Sequence, residues 1–181
     1  MGEIRSRRRT LAGGACLAIL ICCPWPHGTP RAETPGCTTT ARTDPPREEL
    51  ECADGLRITA EKGATYTLVD RDKDRRPDAI ELKSRGLLIE VSPRRRGGFQ
   101  ILTPHAVASV RGTTWAVDVT GTGTSVLVEA GSVGVARSGT PGGAVVLKAG
   151  DGVDVEPGSA PLAVKSWSRE RRLHLLARFG R

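Results

Sequence analysis

Five carboxylates crowd one short stretch of the chain. In Val69-Asp70-Arg71-Asp72-Lys73-Asp74-Arg75-Arg76-Pro77-Asp78-Ala79-Ile80-Glu81, counting Asp70 as position 1 puts carboxylates at positions 1, 3, 5, 9 and 12. That is the oxygen-ligand spacing of a calcium loop, in which alternate residues turn inward toward a hard cation. Position 6 is Arg75, where the sharp turn of such a loop normally takes glycine, and Arg71, Lys73, Arg75 and Arg76 offset most of the negative charge. Two readings stay open. Either Asp70, Asp72, Asp74, Asp78 and Glu81 hold a structural calcium ion, or the segment is a charged, solvated turn. No other cofactor is expected.

The remaining reactive side chains are sparse. Past residue 32 only His105 and His174 remain, too few and too scattered for a zinc site. Ser109 and Asp118 have no spacing that demands a nucleophile–base pair. Gly121-Thr122-Gly123-Thr124 reads as a hairpin turn, since no helix follows it to make a phosphate loop. Arg94-Arg95-Arg96 reads as a solvated basic turn or as a contact for an anionic partner. The expectation is a protein without catalytic residues.

Cysteine usage fits an exported chain. Arg5, Arg7, Arg8 and Arg9 form a basic start, and Leu11 to Cys23 is an uncharged, mostly apolar run followed by Pro24, Pro26 and Pro30. Spanning a bilayer takes about 20 apolar residues, so the run fits a secretory signal rather than a membrane span. Residues 1–32 are expected to be removed, with Ala32 as the cleavage point. Ser6-Arg7-Arg8-Arg9-Thr10-Leu11 also approaches a twin-arginine signal, which leaves the export route open. Cys16, Cys22 and Cys23 would leave with this segment, and the remaining Cys37 and Cys52 are expected to form a disulfide in a periplasmic or secreted protein. A closed loop of about 15 residues contributes about 3 kcal/mol in the chain-entropy model.

The 181 residues carry a formal charge of +7. Five of the 27 basic and one of the 20 acidic residues lie within the first 32 positions, so the rest carries only +3. That balance gives no reason to expect a nucleic-acid partner.

Positioning these side chains falls to short strands. Residues 33–55, rich in Thr, Pro and charge, read as an irregular leader. From Leu56 onward apolar stretches recur between glycine-rich turns: Leu56–Ile58, Tyr66–Val69, Ala79–Leu82, Leu87–Val91 and Phe99–Leu102. Val107–Val110, Trp115–Val119, Ser125–Val128, Val133–Ala136, Ala144–Leu147 and Val153–Val155 follow. Strands at this spacing predict an all-β body over 56–160, a roll, barrel or sandwich. In the tail, 161–181, Ser168 is placed to cap a helix running to about Phe179 and ending at Gly180. It is expected to dock onto the β body.

The stretch Ile101-Leu102-Thr103-Pro104-His105-Ala106-Val107-Ala108-Ser109-Val110-Arg111-Gly112-Thr113-Thr114-Trp115-Ala116-Val117-Asp118-Val119 resembles the FecR domain family. Val126-Leu127-Val128-Glu129-Ala130-Gly131-Ser132-Val133-Gly134-Val135 is similar to its second signature, and Leu147-Lys148-Ala149-Gly150-Asp151-Gly152-Val153 to its third. The resemblance covers roughly residues 56–158. It marks Thr103, Pro104, Arg111, Gly112, Thr113, Trp115 and Gly131 as architectural positions rather than catalytic ones. It implies an extracytoplasmic module of iron-uptake signalling. Members contact a TonB-dependent receptor outside the cytoplasm and a sigma factor inside.

This sequence is expected to lack the sigma-factor region, the membrane span and the small second domain. The resemblance therefore implies a free-standing domain that binds an envelope protein, such as a TonB-dependent receptor or a membrane signalling protein. The rival reading is a calcium-stabilised carbohydrate or cell-wall binding module. No oligomeric state is expected from the sequence.

Overall fold

Where apolar residues alternate, the backbone runs extended. A computed structural model describes residues 36–139 and 143–181, so the expected export segment, its cleavage point and its route lie outside the described residues. The strands are β1 (Cys37–Thr43), β2 (Pro46–Cys52), β3 (Leu56–Glu61), β4 (Thr65–Val69), β5 (Ala79–Val91), β6 (Phe99–Leu102) and β7 (Ala106–Val110). Then come β8 (Thr114–Val119), β9 (Thr124–Ala130), β10 (Ser132–Arg137), β11 (Val145–Lys148), β12 (Asp151–Val155) and β13 (Lys165–Ser166), followed by the helix α1 (Arg169–Ala177).

The strands join in the order β11-β10-β7-β6-β5-β8-β9-β12-β13. β4 also pairs with β5, and β1-β2-β3 branches from β5 through β3. Every pairing is antiparallel except β5 with β6. The result is a curled, all-β half-barrel with a C-terminal helix.

β5 organises the curl. The sequence predicts two strands, 79–82 and 87–91, but Lys83-Ser84-Arg85-Gly86 continues the first into the second. A straight strand of this length would carry Val91 about 40 Å from Ala79. Yet Gln100, shortly after, lies beside Ala79, and the eight intervening residues reach only about 30 Å. The strand must therefore bend, and Arg85 supplies a left-handed φ of 66° in its middle. Its first half pairs with β4 and β6 and its second half with β3 and β8.

The irregular leader expected at 33–55 is corrected. Residues 37–52 form the β1–β2 hairpin, in register from Cys37 opposite Cys52 to Thr43 opposite Pro46, and β2 pairs onward to β3. Backbone pairing needs no apolar side chains. Here one buried leucine, Leu50, and an Arg42–Glu49 ion pair at 2.8 Å accompany it. Cys37 and Cys52 are joined as a disulfide across this pair.

Burial on both faces explains the continuous apolar runs. Ile58, Leu87, Ile89, Phe99, Trp115, Val117, Val126 and Val128 fill the inside of the curl. Leu88, Ala116 and Leu127 point the other way, against Trp167, Leu175, Leu176 and Phe179. Each valine, leucine, isoleucine or phenylalanine among them contributes roughly 1.5–3 kcal/mol when fully buried.

The helix docks as expected. Ser168 caps it, accepting the amide of Arg171 at 3.3 Å. Gly180, at φ 75°, ends the turn that follows. Arg171 forks onto Asp154 of β12, at 2.6 and 3.0 Å, while its guanidinium lies 3.5 Å from the Trp167 ring centroid. Arg178 grips both oxygens of Asp118, at 2.9 and 2.8 Å, and also donates to Glu61. The Asp118 bonds lead in holding the Arg178 guanidinium above its usual range, against the pull of burial. Among the described residues no helix is long and apolar enough to cross a membrane.

These pairs set an acid limit. Burial works to raise the Asp154 carboxyl, but hydrogen bonds from Arg171 and Ser125 outweigh it and hold the group below its ordinary value. Arg42 first, with Arg47 behind it, does the same for Glu49. A depressed carboxylate stabilises the folded chain fully above its unfolded value, about pH 4, and that contribution is lost as pH falls through the folded value. The melting temperature is therefore expected to drop below about pH 4. A melting series on Asp154→Asn should show a shallower drop than the parent; an identical curve would assign the acid limit elsewhere.

Candidate functional site

The β4–β5 connection must turn sharply, and aspartate suits such turns because its carboxylate accepts nearby amides. Asp70 accepts the amides of Asp74 (3.2 Å) and Arg75 (2.9 Å), and Asp74 accepts that of Arg76 (2.8 Å). These bonds hold Lys73 and Arg75 at φ 60° and 68°, a left-handed backbone costing about 1–2 kcal/mol per non-glycine residue. Arg75 thus takes the conformation for which a calcium loop uses glycine.

The loop brings only part of the expected ligand set together. Asp70, Asp72 and Asp74 each place a carboxylate oxygen within 4.8 Å of the others. Desolvation, a hydrogen bond shared with Asp70 and the neighbouring charges raise the Asp72 carboxyl above its ordinary value. Asp78 instead accepts the Arg71 amide and guanidinium, at 3.1 and 3.0 Å. Glu81 stands exposed on β5 opposite Thr67. Neither belongs to the cluster of three.

Beside this loop lies a residue that sequence reasoning placed wrongly. Arg95, expected in a solvated basic turn, is 6% exposed. Its Nε donates to Asp54 at 2.6 Å, its Nη1 to the Gly98 carbonyl at 3.3 Å, and its Nη2 to the Pro77 carbonyl. The guanidinium lies 5.4 Å from the Phe99 ring centroid. One side chain therefore ties together the turn at 53–55, the acidic loop and the 92–98 connection. A run of three arginines gave no sign of this; only the placement of Asp54 across the β2–β3 turn reveals it.

The signature positions sit in turns and core. Thr103 donates to the Ala106 carbonyl (2.9 Å), accepts its amide (2.8 Å) and meets Thr124 Oγ1 at 2.9 Å. Pro104 is exposed in that turn, and His105 Nδ1 lies 3.3 Å from Thr124 Oγ1, a local contact. Arg111 is exposed. Gly112, at φ 65°, packs so closely that a Cβ would lie 3.0 Å from Pro93 Cα. At Gly131, φ 86°, a Cβ would lie 2.8 Å from Thr113 Oγ1. Thr113 itself bonds the Ser132 carbonyl at 3.0 Å, which locks the β7–β8 turn to the β9–β10 turn. Trp115 is wholly buried behind them.

The family model described as FecR protein matches residues 39–134, more than half of the chain. The chain belongs to the FecR family. The FecR match starts inside β1 and ends in β10. The family pattern therefore takes in the hairpin and stops short of the Leu147–Val153 stretch. Two crystal structures of a candidate anti-sigma factor from Parabacteroides distasonis, at 2.50 and 1.65 Å resolution, share the fold. Their TM-scores are 0.59 and 0.58, at 15% identity, and each alignment covers 77% of this FecR chain. The chain spans only 64% of the length of those neighbours. No curated protein matches it in sequence.

Proposed function

We propose that this FecR-family chain is a non-enzymatic recognition module of envelope signalling, binding an envelope protein outside the cytoplasm. The family match over 39–134 carries the reading, since the family is one of regulatory proteins. The disulfide supports an oxidising compartment, periplasmic or extracellular. The signature residues spend their hydrogen bonds on turns of the fold, which supports a binding surface over a reaction centre. Iron or another metal is the stimulus the family suggests, and a TonB-dependent receptor or membrane signalling protein is the expected partner. In-cell crosslinking of the tagged chain, in iron-replete and iron-starved cells, tests this by mass spectrometry. Capture of such a receptor or signalling protein is the expected result. Recovery of wall polymer alone, or of no protein above background, would overturn the reading.

The carbohydrate alternative has less to stand on. Phe99 and Trp115 are buried, Trp167 is covered by Arg171 and Tyr66 is half-buried, so the described residues offer no open aromatic platform for a sugar. Its calcium ion would rest on three carboxylates rather than five, and these already accept loop amides. Millimolar calcium is therefore expected to leave the melting temperature equal to that in chelator. A rise of several degrees would return the metal reading to first place.

A further inference from the structure

Where the turn at 53–55, the acidic loop and the 92–98 connection meet, they enclose a cleft of about 570 Å³. Pockets of this size hold small ligands. Five arginines, Arg75, Arg76, Arg94, Arg95 and Arg96, line it against two carboxylates, Asp54 and Asp74. Both carboxylates are engaged. Asp54 is held by Arg95 at 2.6 Å, and Asp74 accepts the Arg76 amide at 2.8 Å with the Arg76 guanidinium 3.9 Å away. Arg75, Arg94 and Arg96 are exposed, and among the described residues none has an acidic partner.

Three guanidiniums without an acidic partner among the described residues repel one another around one cleft, and an anion bound between them would relieve that repulsion. Their backbones are already fixed. The Arg75 amide donates to Asp70 at 2.9 Å, the Arg94 amide to Ser92 Oγ at 3.3 Å, and buried Arg95 anchors the chain between Arg94 and Arg96. With the backbone ordered in advance, binding has to immobilise only the three side chains. All five cations are arginine, whose planar fork matches tetrahedral oxyanions two bonds at a time and stays charged at any ordinary pH. An excess of three charges among the described lining residues favours a ligand of concentrated charge, which phosphate supplies at up to two charges per group.

We infer that this cleft binds a compact ligand carrying more than one phosphate group. The reading is independent of the partner proposed above. Two sources share the chemistry, a free polyphosphate and the phosphates of lipid headgroups, and the test separates them. Calorimetric titration of the full chain with inorganic tripolyphosphate is expected to show saturable binding that weakens with added salt. The same probe should raise the melting temperature above that in chloride of equal ionic strength. Arg94→Gln/Arg96→Gln should weaken binding at least about tenfold without lowering the melting temperature, because both side chains are exposed and have no acidic partner among the described residues. Arg169→Gln, on α1 and outside the cleft lining, should leave binding within about twofold. If only vesicles containing cardiolipin, which carries two phosphates in one headgroup, are bound, and that binding is lost in the double variant, the phosphates belong to a lipid surface. Absence of binding to both probes would overturn the inference, as would equal affinity of parent and double variant.

Discussion

An Arg95→Met chain is expected to melt roughly 10 °C below its parent. Removing one partner of a buried ion pair costs about 3–5 kcal/mol, because the charge left behind is neither solvated nor paired. In a domain of this size each kcal/mol moves the transition by about 2–4 °C. The Asp54 side chain is 11% exposed and would be the orphan, and the carbonyls of Pro77 and Gly98 would lose a donor as well. Methionine keeps the contact with Phe99 while deleting the charge, so the loss reads out electrostatics and hydrogen bonds rather than packing. Asp54→Asn/Arg95→Met should recover at least half of the drop in a thermal melt. A double variant as unstable as the single would mean that packing, not the stranded carboxylate, sets the cost.

Gly152→Ala should be the most damaging single methyl group on the opposite face. Gly152 lies in β12, paired on one side with Leu127 and on the other with Lys165, so its backbone has little freedom to shift. A Cβ there would fall 2.2 Å from the Trp167 indole nitrogen, well inside contact distance. The indole would have to leave, taking with it the stacked Arg171 and the Arg171–Asp154 fork. Overpacking of this kind typically costs 1–3 kcal/mol, and more where the neighbour cannot yield. Tryptophan emission should shift to longer wavelength, because Trp167 gains water while Trp115 stays buried. An unshifted spectrum with parental stability would show that the strand can give way after all.

Much of this fold can be read from alternation alone. Trp115, Val117 and Val119 point inward at every second residue, and the strands from β6 to β10 fall where such runs lie. The hairpin at 37–52 could not be seen this way. Six of the seven β1 residues are exposed, so no apolar pattern marks the strand, and its pairing is written in backbone bonds and a disulfide. Polar Lys83-Ser84-Arg85 resembled a turn because a bend that moves a strand between neighbours exposes side chains as a turn does.

The acidic loop shows the same limit in its chemistry. Spacing found the three aspartates that converge, but it could not tell that Arg71 occupies Asp78 or that Glu81 already belongs to a strand. Arg95 was illegible for a related reason. Its partner Asp54 lies 41 residues away, and nothing local distinguishes it from Arg94 and Arg96.

The bent β5 has a consequence for how the molecule opens. Its first half is flanked by β4 and β6 and its second half by β3 and β8, so few of its amides face an unpaired edge. Neither leaf of the curl can come apart without stripping one side of this strand. Local opening energies usually differ across a domain, with independent units fraying first. Here the two leaves share a single spine. Deuterium should therefore enter the doubly flanked stretches of β5, 79–81 and 87–90, last and at the rate of global unfolding, while β11 and β13, at the two ends of the strand order, exchange early.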